Sequence, residues 1–214
     1  MAPPPCSGRA TLLLVPTELE ARLLAELGGL GRAPLALCGF GPLASAARTA
    51  RLLAQLDPGR VLLVGAAGTW DTQRLPIGTA RAFAQVAQDG VHARRHGFSQ
   101  LGTARVQHEE REEQLELARP AGAAGLLLSV GAPLLAGAEL DARRARHPAA
   151  LAEDMEGFGV ALAAALAGVP LAIVRGISNA VGQREGWDLR GALAAARELA
   201  LEHLESSAGW ECDA

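Results

Sequence analysis

One stretch, residues 153–179, constrains the fold most, because it predicts an apolar helix followed directly by a buried strand. The tripeptide Asp-Met-Glu at 154–156 begins the predicted helix, and a Gly-Val-Pro sequence ends it. The apolar residues 171–174 predict the strand, and residues 175–179 follow at its carboxyl end. Ligands bind at that edge of open α/β sheets. The stretch therefore predicts an α/β fold with acidic and amide groups near a ligand-binding site. By itself it does not place Glu156, before the helix, next to Asn179, after the strand.

Further apolar runs, most of them followed by glycine or proline, predict more strands of the same sheet. They span residues 11–15, 34–38, 60–64, 77–87 and 126–129. A chain of 214 residues with 50% hydrophobic content most simply forms one domain. We expect that domain at residues 11–205, between disordered tails at residues 1–10 and 206–214.

Charge and cysteine content argue against several classes of function. The net charge of −3 gives no sign of a nucleic-acid-binding surface. Three scattered cysteines, Cys6, Cys38 and Cys212, predict neither a disulfide framework nor a metal site. No apolar run approaches the ~20 residues of a membrane span, and no signal peptide is predicted. We expect a soluble, cytoplasmic protein without nucleic-acid or membrane partners.

The sequence of residues 154–156, together with Arg-Gly-Ile-Ser-Asn at 175–179, resembles the ribose and purine motifs of the nucleoside phosphorylase/nucleosidase superfamily. In the methylthioadenosine/adenosylhomocysteine nucleosidase branch, the second motif ends in Asp, whereas this chain has Asn179. With its continuation through residues 180–187, the motif most resembles the futalosine-hydrolysing branch. The likeness extends over roughly residues 11–204.

This resemblance implies a three-layer α/β/α sandwich around a central mixed, mostly parallel sheet. It implies hydrolysis of a purine N-ribosidic bond, with release of hypoxanthine from futalosine in menaquinone biosynthesis. Neither a metal nor an organic cofactor is expected. The expected partner is a small-molecule nucleoside, and relatives form homodimers or larger homo-oligomers with the site near a subunit boundary.

Two glutamates after the first predicted strand are candidates for the base that activates water. Thr17 can cap the following helix, where Glu18 and Glu20 would both be favoured by the helix dipole. The resemblance selects Glu20 as the general base, and Glu18 is the alternative if the register differs.

The resemblance also assigns the substrate contacts. Glu156 would accept hydrogen bonds from the ribose 2′- and 3′-hydroxyls, and Met155 would lie against the sugar. Asn179 would face the N7/O6 edge of the base and act in catalysis by stabilising the departing hypoxanthine through hydrogen bonds. A 6-oxopurine presents an acceptor at O6, to which an amide can donate and an ionised Asp cannot. Asn179 therefore predicts selectivity for 6-oxopurines over 6-aminopurines.

Other predicted contacts come from one strand end and one loop. Ala66 and Gly68 belong to the glycine-rich exit of the strand at 60–64; where bacterial phosphorylases have an Arg and a Ser to hold phosphate, this chain has Leu63 and Ala66. Water is therefore the expected nucleophile. Pro133 and Leu134 occupy the predicted base-stacking loop.

Predictions extend to two residues beyond this strand end and loop. Arg184 could pair with a carboxylate on the 5′ substituent of the substrate, and Trp187 is interpreted as a buried, helix-docking aromatic residue. The polar segment 88–119 and the basic run at residues 143–147 are interpreted as exposed.

Three other classes of function remain open. The G-x-G-x-x-A sequence at 39–44 is compatible with a dinucleotide-dependent oxidoreductase. Against it, Asp57 precedes the next predicted strand, whereas the fingerprint requires an acidic residue at that strand's end. Another purine nucleosidase or phosphorylase, of the methylthioadenosine or inosine type, and a non-catalytic nucleoside-binding protein are the remaining alternatives.

Overall fold

A computed structural model describes residues 9–90, 114–118, 120–183 and 185–206, which form nine strands and five helices. The strands are β1 (Thr11–Val15), β2 (Leu35–Leu37), β3 (Arg60–Thr69), β4 (Ala80–Phe83), β5 (Gln85–Gln88), β6 (Gln114–Glu116), β7 (Leu126–Ser129), β8 (Ala150–Asp154) and β9 (Leu171–Ala180). The helices are α1 (Glu18–Glu26), α2 (Pro42–Leu56), α3 (Ala138–Arg146), α4 (Gly157–Ala167) and α5 (Leu189–Glu205).

All described strands belong to one mixed sheet, ordered β2-β1-β3-β8-β7-β5-β6, with β9 paired to both β3 and β4. Five of the strand pairs are parallel. The pairs β3/β8, β4/β9 and β5/β6 are antiparallel. The long strand β3 is central, because its beginning pairs with β1 and its end pairs with β8. The predicted mixed, mostly parallel sheet is therefore confirmed.

Helices cover both faces of this sheet, as the continuous burial of its inner strands requires, because successive side chains point to opposite faces. Leu12 and Leu14 pack on one face with residues of α2 and α4. Leu13 and Val15 pack on the other face with residues of α1 and α5. Each fully buried side chain of this size contributes roughly 1.5–3 kcal/mol through removal from water. The three-layer α/β/α arrangement predicted for the chain is confirmed.

Three predicted boundaries are wrong. The tripeptide at 154–156 does not begin a helix: Asp154 ends the unpredicted strand β8, and α4 begins only at Gly157. The glycine-rich residues 65–69 continue β3 instead of leaving it, because they pair with β9 and β8. The single strand expected at 77–87 is instead two short strands, β4 and β5.

Parts of the sequence-based expectations fall outside the described residues. These are most of both predicted tails, most of the polar segment 88–119, and Arg184. Within the described ranges, none of the helices has the length and apolar character needed to cross a membrane. The same ranges contain no group of three or more His, Cys, Asp or Glu residues arranged to hold a metal ion.

Candidate active site

A cleft of about 770 Å³ opens at the carboxyl ends of β1, β3 and β9. Its walls also include the end of β8 and the loop after β7. This volume is within the range of small-molecule sites. The cleft thus occupies the sheet edge at which the sequence predicts a ligand.

Eight of the nine predicted site residues line this cleft. They are Glu20, Ala66, Gly68, Pro133, Leu134, Met155, Glu156 and Asn179. The ninth, Arg184, is outside the described residues. Glu18, the alternative base, is exposed and is not among the lining residues.

Three hydrogen bonds hold Glu20 at the start of α1. The Thr17 side chain caps the helix by accepting a hydrogen bond from the Glu20 amide, with 3.2 Å between the two atoms. The Thr17 hydroxyl also donates to Oε2 of Glu20 at 2.7 Å. From β3, the Ala66 amide donates to Oε1 at 3.1 Å. This buried carboxylate is therefore fixed in orientation by the capping residue Thr17 and by the neighbouring strand β3.

Glu156 occupies the N-cap position of α4, and its carboxylate is buried in the cleft wall. Oε1 accepts a hydrogen bond from the Gly41 amide at 3.0 Å. Burial raises the pKa of Glu156 to about 7; Arg175 opposes the rise, while Asp154 adds to it. The glycine loop at 39–41 thus supports a carboxylate through Gly41, whereas a dinucleotide-binding loop would present its amides to a phosphate.

Arg175, on β9, is fully buried beneath the cleft and had no predicted role. Its Nε and Nη2 donate to Oδ2 of Asp154 at 3.0 and 2.5 Å. Nη2 also lies 3.6 Å from Oε2 of Glu156. An arginine directly after the four apolar residues that begin β9 is the signal in the sequence that could have revealed this residue.

The remaining guanidinium nitrogen of Arg175, Nη1, points towards Glu20. It has no hydrogen-bond partner among the described residues. A Cβ at position 65 would collide with Nη1 and lie 2.9 Å from Oε1 of Glu20. Glycine at position 65 is therefore what allows the guanidinium and the Glu20 carboxylate to approach the same point.

Asp154 connects the elements behind the site. Its Oδ1 accepts a hydrogen bond from the Ser129 hydroxyl at 2.5 Å, and its Oδ2 accepts one from the Gly157 amide at 2.9 Å. Together with Arg175, these contacts join β7, β8, α4 and β9. Asp154 therefore stabilises the frame on which Glu156 and Arg175 are mounted.

Asn179 lies near the end of β9, where its amide is oriented by its neighbours. Oδ1 is 2.8 Å from the Ser178 hydroxyl, and Nδ2 donates to the Ala180 carbonyl at 3.0 Å. The Ser178 hydroxyl is also 3.3 Å from the Ala67 carbonyl, so its single proton serves one acceptor at a time. One N–H of the Asn179 amide remains for a further partner.

Two predictions of exposure or burial near the cleft are wrong. Trp187 is not buried; 63% of it is exposed, and it lines the cleft. The basic run at 143–147 is not wholly exposed, because Arg143 and His147 are buried. Both contact Asp89, through Nε of Arg143 at 2.8 Å and Nε2 of His147 at 3.0 Å.

The cleft therefore combines two fixed carboxylates, a buried guanidinium and an oriented amide. Such a set can take a proton from water, accept hydrogen bonds from a sugar diol, and donate to a heterocyclic oxygen. Most of the remaining wall is apolar, with Leu19, Phe40 and Leu135 beside Trp187.

This chain is similar to several known proteins. Residues 22–206 match the family model described as the phosphorylase superfamily. A futalosine hydrolase of Acidothermus cellulolyticus is 41% identical over 103 residues, which cover 47% of this chain and 40% of that protein. A futalosine hydrolase of Streptomyces coelicolor is 59% identical over 54 residues, covering 24% of this chain and 23% of that protein. Each match thus spans less than half of the relative.

A solved structure has the same fold. It is the 5′-methylthioadenosine/S-adenosylhomocysteine nucleosidase of Neisseria meningitidis in complex with methylthio-immucillin-A, with a TM-score of 0.74 and 18% identity. The superposition covers 92% of this chain and all (100%) of that one.

Proposed function

This chain belongs to the phosphorylase superfamily, and on that premise we propose that it hydrolyses the N-ribosidic bond of a purine nucleoside. The proposed substrate is futalosine, from which hypoxanthine would be released in menaquinone biosynthesis. The observation that carries the proposal is the convergence of Glu20, Glu156 and Asn179 on one cleft. The two partly matching futalosine hydrolases support the choice of substrate.

Cleavage of this bond builds positive charge on the sugar and negative charge on the departing base, so the enzyme must stabilise both. Glu20 takes a proton from water as the water oxygen attacks C1′ and the bond to the base breaks. The guanidinium of Arg175 lies buried beside Glu20, Asp154 and Glu156, where its positive charge offsets part of their negative charge. The base leaves with a proton from solvent at N7.

Glu156 accepts hydrogen bonds from the 2′- and 3′-hydroxyls of the ribose, and Met155 packs against the sugar face. Ionised Glu156 is the form with full acceptor capacity. Because its pKa is raised to about 7 by burial, that form dominates only above neutral pH in the free protein. Hydroxyl donors on the substrate would favour ionisation on binding.

Asn179 donates its amide N–H to O6 of the base, and its carbonyl accepts from N7–H as the base leaves. The contact between Ser178 and Oδ1 supports this orientation, because it identifies the oxygen end of the amide. Pro133 and Leu134 line the base-stacking wall.

Water, and not phosphate, is the proposed nucleophile. A phosphate dianion requires positively charged partners to offset its desolvation. The described residues that line the cleft include no arginine, and the chain contains no lysine. Leu63 is buried in the apolar core, and Ala66 uses its amide to hold Glu20.

Family membership also underlies our proposals for the 5′ substituent of the substrate and for the oligomeric state of the protein. Arg184 pairs with a carboxylate on the 5′ substituent. The apolar wall of the described cleft includes Phe40 and Trp187. The exposure of these two aromatic residues at the cleft mouth, 64% and 63%, supports a homo-oligomer in which the site lies near the subunit boundary. The proposed compartment is the cytoplasm.

The test is one chromatographic assay of purified protein with futalosine, in the presence and absence of phosphate. Free hypoxanthine and an unphosphorylated sugar product without added phosphate are expected. Dependence on phosphate would make the protein a phosphorylase. Faster cleavage of methylthioadenosine than of futalosine would assign it to the methylthioadenosine/adenosylhomocysteine type instead.

A further inference from the structure

Three residues on neighbouring strands form a row across the floor of the cleft. Gly68 on β3 pairs with Glu153 on β8, and it also pairs with Asn179 on β9 just after a β-bulge. Paired residues on adjacent strands project to the same face of a sheet. All three residues line the cleft. Glu153 therefore lies on the same floor as Asn179, with Gly68 between them.

The central position of this row has no side chain. A Cβ at Gly68 would lie 3.2 Å from Nδ2 of Asn179 and 3.1 Å from Cγ2 of Val181, so the space beside Asn179 depends on the glycine. The flanking strands are two interstrand spacings apart, or about 10 Å. A flat heterocycle above Gly68 would have the amide of Asn179 on one side and the carboxylate of Glu153 on the other.

Glu153 is held in this position by Arg143. Nη1 of Arg143 donates to Oε2 of Glu153 at 3.2 Å, and Nη2 donates to the Ala132 carbonyl at 3.2 Å. Nε of Arg143 donates to Asp89, which also contacts Arg146. Among the described residues, none donates to Oε1 of Glu153. The carboxylate thus has one anchored oxygen and one oxygen with acceptor capacity to spare.

The two classes of purine differ at the atom that such a carboxylate would meet. A 6-oxopurine carries a proton on N1, next to the O6 acceptor, whereas a 6-aminopurine has an unprotonated N1 that can only accept. Resting on the function proposed above, we infer that Glu153 is a specificity-determining residue that accepts the N1–H of a 6-oxopurine while Asn179 serves O6 and N7. Arg143 is its positioning residue.

The proposed role requires the ionised form of Glu153. Burial raises its pKa to about 7, opposed by the charge and hydrogen bond of Arg143, so the ionised form prevails above neutral pH. An N–H donor on the base stabilises the ionised form, while the lone pair of an adenine N1 repels it. Unpaired polar groups in a closed site can change selectivity by orders of magnitude. The ionised carboxylate would therefore favour hypoxanthine and disfavour adenine.

The test compares the wild type with Glu153→Gln in equilibrium binding of hypoxanthine and adenine by calorimetry. It also compares kcat/KM for inosine-type and adenosine-type nucleosides with the same 5′ group. The expected result is a fall of at least tenfold in the preference for the 6-oxopurine. Glu139→Gln, on the exposed surface of α3, is the matched control and should leave the preference unchanged.

A second measurement uses the wild-type protein alone, so it does not depend on the folding of a variant. Methylation at N1 removes the donor, and 1-methylhypoxanthine should bind at least tenfold more weakly than hypoxanthine. Equal affinities, or an unchanged preference in folded Glu153→Gln, would overturn the inference. Loss of the proposed function is distinguishable from both, because the wild type would then cleave no purine nucleoside at all.

Discussion

At the scale of single residues, the site depends on which atom of each polar side chain is already occupied. Both oxygens of Glu20 accept protein hydrogen bonds, one from Thr17 and one from Ala66. Each oxygen retains further acceptor capacity, so the carboxylate can still take a proton from water. Glu18, two residues earlier, is exposed and has no position in the cleft.

Glu20→Gln is expected to lower kcat by about 10²- to 10⁴-fold, the usual contribution of a general base. The amide keeps the shape of the side chain but cannot accept the proton. Hypoxanthine release under saturating substrate measures the effect. Glu18→Gln is the control: a comparable loss in that variant would transfer the role to Glu18.

Asn179→Asp is expected to lower the ratio of kcat/KM for 6-oxopurine over 6-aminopurine nucleosides by about tenfold or more. The carboxylate removes the donor for O6 and supplies an acceptor for a 6-amino group. Competing substrates in one reaction, separated by chromatography, give the ratio directly. An unchanged ratio would show that the amide does not read position 6.

Residue patterns predicted part of this site, and the reason for the rest is physical. Short motifs that can be recognised in the sequence contain Glu20, Glu156 and Asn179. The interpretation of Arg143 as exposed is wrong because its burial depends on Asp89, 54 residues away along the chain. Pairing between such distant residues leaves no local trace in the sequence.

At the scale of secondary-structure elements, the first turn of α1 couples stability to chemistry. Thr17 caps the helix and at the same time donates to the Glu20 carboxylate. The two roles are inseparable because the capping residue and the proposed base are three positions apart. A change at Thr17 should therefore appear in both folding and catalysis.

Thr17→Ala is expected to destabilise the protein by about 1 kcal/mol, the typical cost of losing an N-cap. For a chain of this size, that corresponds to a fall in Tm of roughly 2–4 °C. Thermal unfolding followed by circular dichroism measures it. Thr17→Ser keeps the hydroxyl and should retain both most of the stability and the activity; equal losses in the two variants would contradict the capping role.

The missed strand β8 shows where element prediction stops. Its first four residues, Ala-Leu-Ala-Glu, favour helices by intrinsic propensity. They form a strand because β3 and β7 pair with them on either side. By contrast, β1 is predictable from its own apolar residues. The prediction that a helix begins at 154–156 failed for the same reason, since the sheet extends β8 to Asp154.

At the scale of the whole molecule, buried carboxylates lower the free energy of unfolding above neutral pH, where they are ionised. The pKa of Glu156 is raised by burial from 4.5 to about 7, and burial raises that of Glu153 to the same value. Between those pH values the folded state binds protons that the unfolded chain has released. The free energy of unfolding must therefore fall as pH rises from about 4.5 to about 7.

Glu156→Gln is expected to be more stable than the wild type at pH 8 and to have a weaker pH dependence of Tm between 5 and 8. The amide removes a buried charge while retaining the acceptor for the Gly41 amide. Scanning calorimetry across this range tests the sign. Glu198→Gln, on an exposed position of α5, should follow the wild-type curve, and a Glu156→Gln curve of wild-type slope would refute the assignment.

The uneven charge around Arg175 has a consequence for inhibition. One guanidinium there faces the carboxylates of Asp154, Glu156 and Glu20, so the floor of the cleft has an excess of negative potential. These carboxylates would attract a substrate analogue whose five-membered ring carries a permanent positive charge, but they would not attract a neutral ribose in this way. The affinity of the charged analogue should strengthen in alkaline buffer, as Glu156 ionises, and an uncharged carbocyclic analogue would lack this gain.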